Sequence, residues 1–162
     1  MLDSVRIFAS IMARIIARIV VLAAALFAVG CGTKSVQPAA DQTDQAWYLQ
    51  NVQALSAISR DAQSAFEKGK PDEAAALIEK GQPLMKTVLS VPRPTFAAVA
   101  AASDLDDLYG RMLLSNRHYG WARLLFQKNI ARWKHWTPPT PETARRLKLA
   151  ETEIAECDRH ID

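Results

Sequence analysis

Residues 46–71, AWYLQNVQALSAISRDAQSAFEKGKP, decide the fold. Tyr48, Val52, Leu55, Ile58, Ala62 and Ala65 recur at steps of four, three, three, four and three. That spacing is one face of an α-helix, and no alternation of the strand kind competes with it. The run closes on Gly69, a residue suited to the left-handed turn after a helix. Pro71 then suits a first helical position, with Asp72 and Glu73 at the positive end of the helix dipole. The stretch therefore reads as a helix, a tight turn and the start of a second helix.

The same period continues toward the C-terminus. The second helix runs through Ala74, Leu77, Ile78 and Gly81. Pro83 lacks an amide proton and clashes with the preceding turn, so a kink or break is expected there before Leu84, Met85 and Val88 resume the stripe. Val91-Pro92-Arg93-Pro94 is a stop. Thr95 can cap a third helix, and Ser103 with Asp106 offers a fresh start inside it. Leu105, Leu108, Tyr109 and Met112 make its apolar side, and Ser115-Asn116-Arg117 is a turn. A fourth helix is expected over roughly His118 to Trp136, with Tyr119, Ala122, Phe126, Ile130 and Trp133 on one face. Thr140 caps and Pro141 opens a fifth, in which Leu147, Ala150, Ile154, Cys157 and Ile161 recur at helical steps. The expected architecture is all-α, about five antiparallel helices over residues 45–162, preceded by an N-terminal signal helix.

In a frame opened at Ser103, Tyr109-Gly110, Leu113, Tyr119, Ala122 and Phe126 fall at apolar, small and turn positions. They resemble the tetratricopeptide repeat, a helix hairpin of 34 residues with small residues where its helices touch. The resemblance implies packing roles for Gly110, Tyr119, Ala122 and Phe126. A looser frame opens at Leu55, with Ile58, Ala62, Ala65, Gly69, Ala74, Ile78 and Gly81 in place and Asp61 departing. The two frames are 48 residues apart, so a segment of about Val88 to Ala102 must be accommodated. A plain antiparallel bundle is the alternative. In the family, the first helix of each hairpin lines a groove. Carried over, those positions are Ser56, Ser59, Gln63, Phe66, Asp104, Asp107 and Arg111. Mostly short and polar, they suit an extended peptide or a partner loop better than an apolar small molecule. Arrays of this kind generally need three or more repeats, so a partner or a second copy would complete this one.

The N-terminus reads as an address. Arg6, Arg14 and Arg18 precede an uncharged run, Ile19 to Val29, that is short for a permanent membrane span. Ala28, Val29 and Gly30 lead into Cys31. This resembles the lipobox of bacterial lipoproteins, with Ala28 where Leu is more usual. The resemblance implies cleavage after Gly30, a diacylglyceryl group on Cys31, and a chain facing the periplasm. Gly32 in place of Asp implies delivery to the outer membrane. Met1 and Met12 are both open as the translation start. An uncleaved anchor is the alternative. Residues 31–44 lack apolar periodicity and read as a flexible tether.

The formal charge is +3, but removal of residues 1–30 leaves 17 basic against 16 acidic residues. A global argument for nucleic acid therefore falls away. The charge is still uneven. From Arg111 to Lys148 there are nine bases and one acid, Glu142, interleaved with Trp121, Trp133 and Trp136. On a helical wheel Trp121 falls near Lys128 and Arg132, and with Arg123 they make a candidate basic patch for an anionic surface. The alternative is a solvated face that balances the acidic first half.

No Gly-rich phosphate loop or nucleophile elbow occurs, and although Glu156-Cys157-Asp158 with His160 holds metal-capable side chains, Cys157 lies on the apolar stripe and reads as a core thiol. No catalytic residue, metal or cofactor is expected. The expected role is a lipid-anchored adaptor for an envelope protein, with binding of anionic membrane or cell-wall material as the first alternative and an enzyme with an unrecognised site as the second. Labelled palmitate fed to a bacterial host should enter the wild-type chain and not Cys31→Ser; equal labelling of the two would remove the lipoprotein reading.

Overall fold

The computed structural model describes residues 42–161. The signal segment 1–30 with Ala28, Val29 and Gly30, the acyl position Cys31, and the tether as far as residue 41 lie outside them. The described chain is all-helical, with no strand among the described residues. A 3-10 turn at Gln42–Asp44 leads into α1 (Ala46–Glu67), α2 (Pro71–Leu89), α3 (Phe96–Ser115), α4 (Tyr119–Lys134) and α5 (Pro141–Asp158). No described helix is long and apolar enough to cross a membrane.

All six apolar residues of the opening stripe are buried. They form a first core with Ala74, Ile78, Met85 and Val88 of α2 and Ala98, Ala102, Leu105 and Leu108 of α3. A smaller second core joins Leu113 and Leu114 of α3, Ala122 and Phe126 of α4, and Ile154 and Cys157 of α5. Thus α3 belongs to both.

The turn after α1 has Gly69 at φ 71, with Lys70 N–H donating to the Ala65 carbonyl at 3.0 Å. The turn after α3 repeats this pattern. Arg117 takes φ 63, and His118 N–H donates to the Leu113 carbonyl at 2.8 Å. Gly69 and Arg117 are 48 residues apart, which is the offset between the two repeat frames. The extra length lies in the helices. With 22 residues in α1 and 19 in α2, the first hairpin is longer than a 34-residue unit. Val88 to Ala102 becomes the end of α2, a short connection, and the first two turns of α3.

Three local expectations change. Pro83 does not end α2, which runs on to Leu89. Its ring is exposed, Thr87 Oγ1 donates to the Pro83 carbonyl at 2.9 Å, and buried Gly81, Met85 and Val88 hold the flanking turns. Packing of that face outweighs one missing backbone bond. Ser103 and Asp106 do not start a new helix; both are buried inside a continuous α3. Trp136 lies beyond α4, which stops at Lys134. The caps follow expectation: Thr95 Oγ1 accepts from Ala98 N–H at 3.3 Å, and Thr140 forms a capping box with Thr143 ahead of α5.

Side-chain pairs give the helix directions. Tyr48 meets Thr95 and Gln63 meets Arg111, so α1 and α3 run parallel. Ser103 meets Trp133 while Gly110 meets Phe126, so α3 and α4 are antiparallel. Arg146 lies over Trp133 and Asp158 meets Arg123, so α5 reverses again. The odd-numbered helices therefore share one direction.

Gly110 allows a close approach of α3 and α4. A Cβ there would stand 2.6 and 2.7 Å from two ring atoms of Phe126, which is fully buried. Tyr119 is placed differently from the other repeat-packing residues: it is half-buried and stacks on His160 at 4.5 Å. Gly110→Ala gains about 1 kcal/mol of helix propensity, but overpacking a fixed ring costs roughly 1–3 kcal/mol. Because Phe126 has no room to move, the denaturation midpoint should fall. Arg117→Gly removes a left-handed penalty of about 1 kcal/mol and should raise it. A midpoint raised by Gly110→Ala, or lowered by Arg117→Gly, would contradict this packing account.

Candidate functional site

Because α1 and α3 are parallel and adjacent, their polar stripes face one another. Ser59 and Gln63 of α1 and Asp104, Asp107 and Arg111 of α3 line one cleft of about 330 Å³. These are five of the seven groove residues expected from the repeat resemblance. Ser56 and Phe66 are not part of the lining, and Phe66 packs against the first core. Arg60, Ser64 and Glu67 complete the α1 wall. The signal for two of them is present as a polar stripe, Ser56-Arg60-Gln63-Glu67, at steps of four, three and four. The repeat frame rotates the stripe by about one residue.

Hydrogen bonds cross the floor. Arg111 Nε donates to Asp107 Oδ2 at 3.0 Å, and Arg111 Nη2 donates to Gln63 Oε1 at 2.6 Å. Gln63 Nε2 in turn donates to Glu67 Oε1 at 2.6 Å. From α5, Arg146 pairs with Asp104 and, at 2.7 Å, with Glu142. Arg60 has no ion-pair partner among the described residues.

The acids of this face differ in their setting. Burial pushes the Asp107 carboxyl above its ordinary 3.8, although Arg111 pulls it down. Burial, with the Asp107 carboxylate added, also raises Glu153 of α5. The hydrogen bond from Arg145, with help from Arg146, holds Glu142 down at about 2. The cleft thus offers carboxylates, the Arg60 guanidinium without an ion-pair partner among the described residues, an amide and hydroxyls. It is equipped to recognise charge and hydrogen-bond pattern.

The expected basic patch does not stay together. Arg132 is turned inward, only 17% exposed, with Nη1 at 2.8 Å from the buried carboxylate of Asp106. Arg123 is held by Asp158 at 2.6 Å. Trp121 and Lys128 remain on one surface and line a hollow of about 530 Å³ with Tyr109, Leu113, His118, Leu124 and Leu125. Trp121 is 68% exposed.

The acidic and histidine side chains near the C-terminus diverge. Cys157 points into the second core, Asp158 goes to Arg123, and His160 lies between Glu156 and the Tyr119 ring. Among the described residues no group of three or more His, Cys, Asp or Glu side chains is arranged to hold a metal ion.

Compared with protein-family models, curated proteins and solved structures, the chain matches none.

Asp107 predicts a pH dependence. A raised folded value means that the folded chain binds more protons than the unfolded one just above pH 3.8. Stability contributed by this group therefore falls as pH rises through that window. Glu142, with a lowered value, acts in the opposite sense: its contribution is present above 4.5 and is lost as pH falls toward about 2. Asp107→Asn should flatten the decline above pH 3.8 when unfolding is followed by urea titration in a series of acid buffers. An unchanged slope would show that the Asp107 carboxyl is not held in a dry setting.

Proposed function

We propose that the chain is a lipid-anchored, tetratricopeptide-like adaptor of the bacterial cell envelope. It faces the periplasm from the outer membrane and holds a partner protein in the α1–α3 cleft, with no catalysis of its own. The observation that carries this reading is the convergence of Ser59, Gln63, Asp104, Asp107 and Arg111 on one cleft between two parallel helices. The 48-residue recurrence of the helix–turn–helix unit supports the repeat-like part. Lipobox-like Ala28-Val29-Gly30-Cys31 supports the anchor. The partner segment that fits is extended and polar, with an acidic group for Arg60 and donors for Glu67 and Asp104.

A second reading rests on Trp121 and Lys128, the two patch residues left free of internal partners among the described residues. They would bind anionic membrane or cell-wall material. Salt separates the two: an exposed cation on a polyanion loses affinity steeply as ionic strength rises, whereas a cleft complex loses less.

The test is crosslinking in cells of the tagged, full-length protein, followed by capture and identification. The double variant Asp107→Arg/Arg111→Asp keeps an i,i+4 pair while reversing the charges a partner meets. A protein captured in near-equal amount by the wild type and lost from this variant supports the adaptor. Capture of lipid or cell-wall polymer alone, lost on Lys128→Gln, moves the function to the Trp121 face.

A further inference from the structure

The two ends of the helical stack differ. One end collects the incoming turn at Gln42–Asp44, the connection 90–95 and the connection 135–140. Tyr48 at the start of α1 ties in the connection 90–95, its hydroxyl accepting from Thr95 N–H at 2.9 Å, and Phe96 meets Trp136 of the connection 135–140. Aromatic rings concentrate here. Trp47 stands edge-on to Tyr48 at 5.7 Å, and Phe96 lies 5.8 Å from Trp133 and 5.5 Å from Trp136. Trp47 is 39% exposed and Phe96 37%. Neither connection contains an acid, and Arg93, Lys134 and His135 have no ion-pair partner among the described residues. The nearest acid in the incoming chain is Asp44. The far end carries the turns at 68–70 and 116–118, where bases and acids are mixed: Lys70 pairs with Glu73, and Arg123 with Asp158.

This aromatic end, whose two connections hold no acid although Asp44 and Glu142 border them, is also where the tether enters. Ten residues of chain, eleven residue-to-residue steps, link Cys31 to Gln42. Fully extended they reach at most about 40 Å, so an acyl group on Cys31 confines this end near a bilayer. Tryptophan, with an apolar ring and one N–H, favours the headgroup level, and basic side chains favour anionic lipid phosphates.

We infer that this end rests on the lipid surface, with Trp47, Phe96 and Trp136 at the headgroup–acyl boundary and Arg93 and Lys134 on lipid phosphates. The inference rests on the proposed lipid anchor and adds an orientation to it. The α1–α3 cleft then runs away from the membrane along helices about 30 Å long. Trp121, two residues into α4, sits at the opposite end and serves as the internal control.

The test uses the full-length acylated protein reconstituted into vesicles of phosphatidylethanolamine and phosphatidylglycerol whose acyl chains carry bromine at carbons six and seven. The mass of the N-terminal fragment is read first, so that the anchor and the docking are judged separately. Bromine should quench wild-type tryptophan emission. Trp47→Phe/Trp136→Phe should lose most of that quenching, whereas Trp121→Phe should keep it. Arg93→Glu/Lys134→Glu, which leaves every ring in place, should also lose it. An acylated protein that is not quenched, or that loses quenching only in Trp121→Phe, overturns the docking while the anchor stands. Emission that shifts with protein concentration in the absence of vesicles assigns this end to a second copy and also overturns it. A chain with no acyl group at Cys31 overturns the anchor and the docking together.

Discussion

The buried ion pair between Asp106 and Arg132 constrains most of the remaining packing in this molecule. Asp106 is fully buried, yet neither of its oxygens receives an aligned hydrogen bond. Arg132 stands 2.8 Å away but directs an N–H to Asn129 Oδ1 at 2.6 Å and another toward Met85 Sδ at 3.7 Å. Around it, Asn129 donates to the Ser103 carbonyl and Trp133 to the Ser103 hydroxyl. This polar seam fixes the register of α4 on α3 and reaches α2. Such a pair adds little compared with an apolar replacement of both partners. Breaking it from one side leaves a bare buried charge, at about 3–5 kcal/mol. The two helices of the second hairpin are therefore pinned to one another by a contact that tolerates no slip, and Arg132 reaches the first hairpin through Met85.

The consequences propagate outward. The seam fixes Trp133, and the Trp133 ring seats the Arg146 guanidinium at 5.3 Å. Arg146 then reaches Asp104 at the edge of the cleft, while Thr140 and Thr143 hold the start of α5. A surface feature between α1 and α3 thus depends on packing two helices away. The proposed adaptor role needs such stiffness, because a cleft that is already in shape loses less entropy when a partner enters.

Periodicity makes most of the fold legible. The stripe from Tyr48 to Ala65, the caps at Thr95 and Thr140, and the turn at Gly69 obey local rules, whereas Arg117 holds a left-handed position that those rules give to glycine. Those rules act within a few residues. Pro83 reads as a kink or break, and the break does not occur, because a proline's local cost does not reveal the burial that offsets it. Ser103 and Asp106 read as a cap because short polar residues look alike in a cap and in a buried seam. The partner that distinguishes them, Arg132, lies 26 residues on from Asp106. The same ambiguity places Arg132 in a basic patch. The groove is legible as a stripe but not in its rotation, since one residue of shift turns a helix face by about 100°.

Cys157 carries one more consequence. It is the one cysteine of the described residues, fully buried between α4 and α5, and burial pushes its thiol up from the ordinary 9.0. A protonated, enclosed sulfur reacts poorly with electrophiles. It becomes available when α5 lifts off α4, a movement confined to the smaller of the two cores. The rate of its alkylation therefore clocks the detachment of one helix from an otherwise intact stack, with no residue substituted to introduce a probe site.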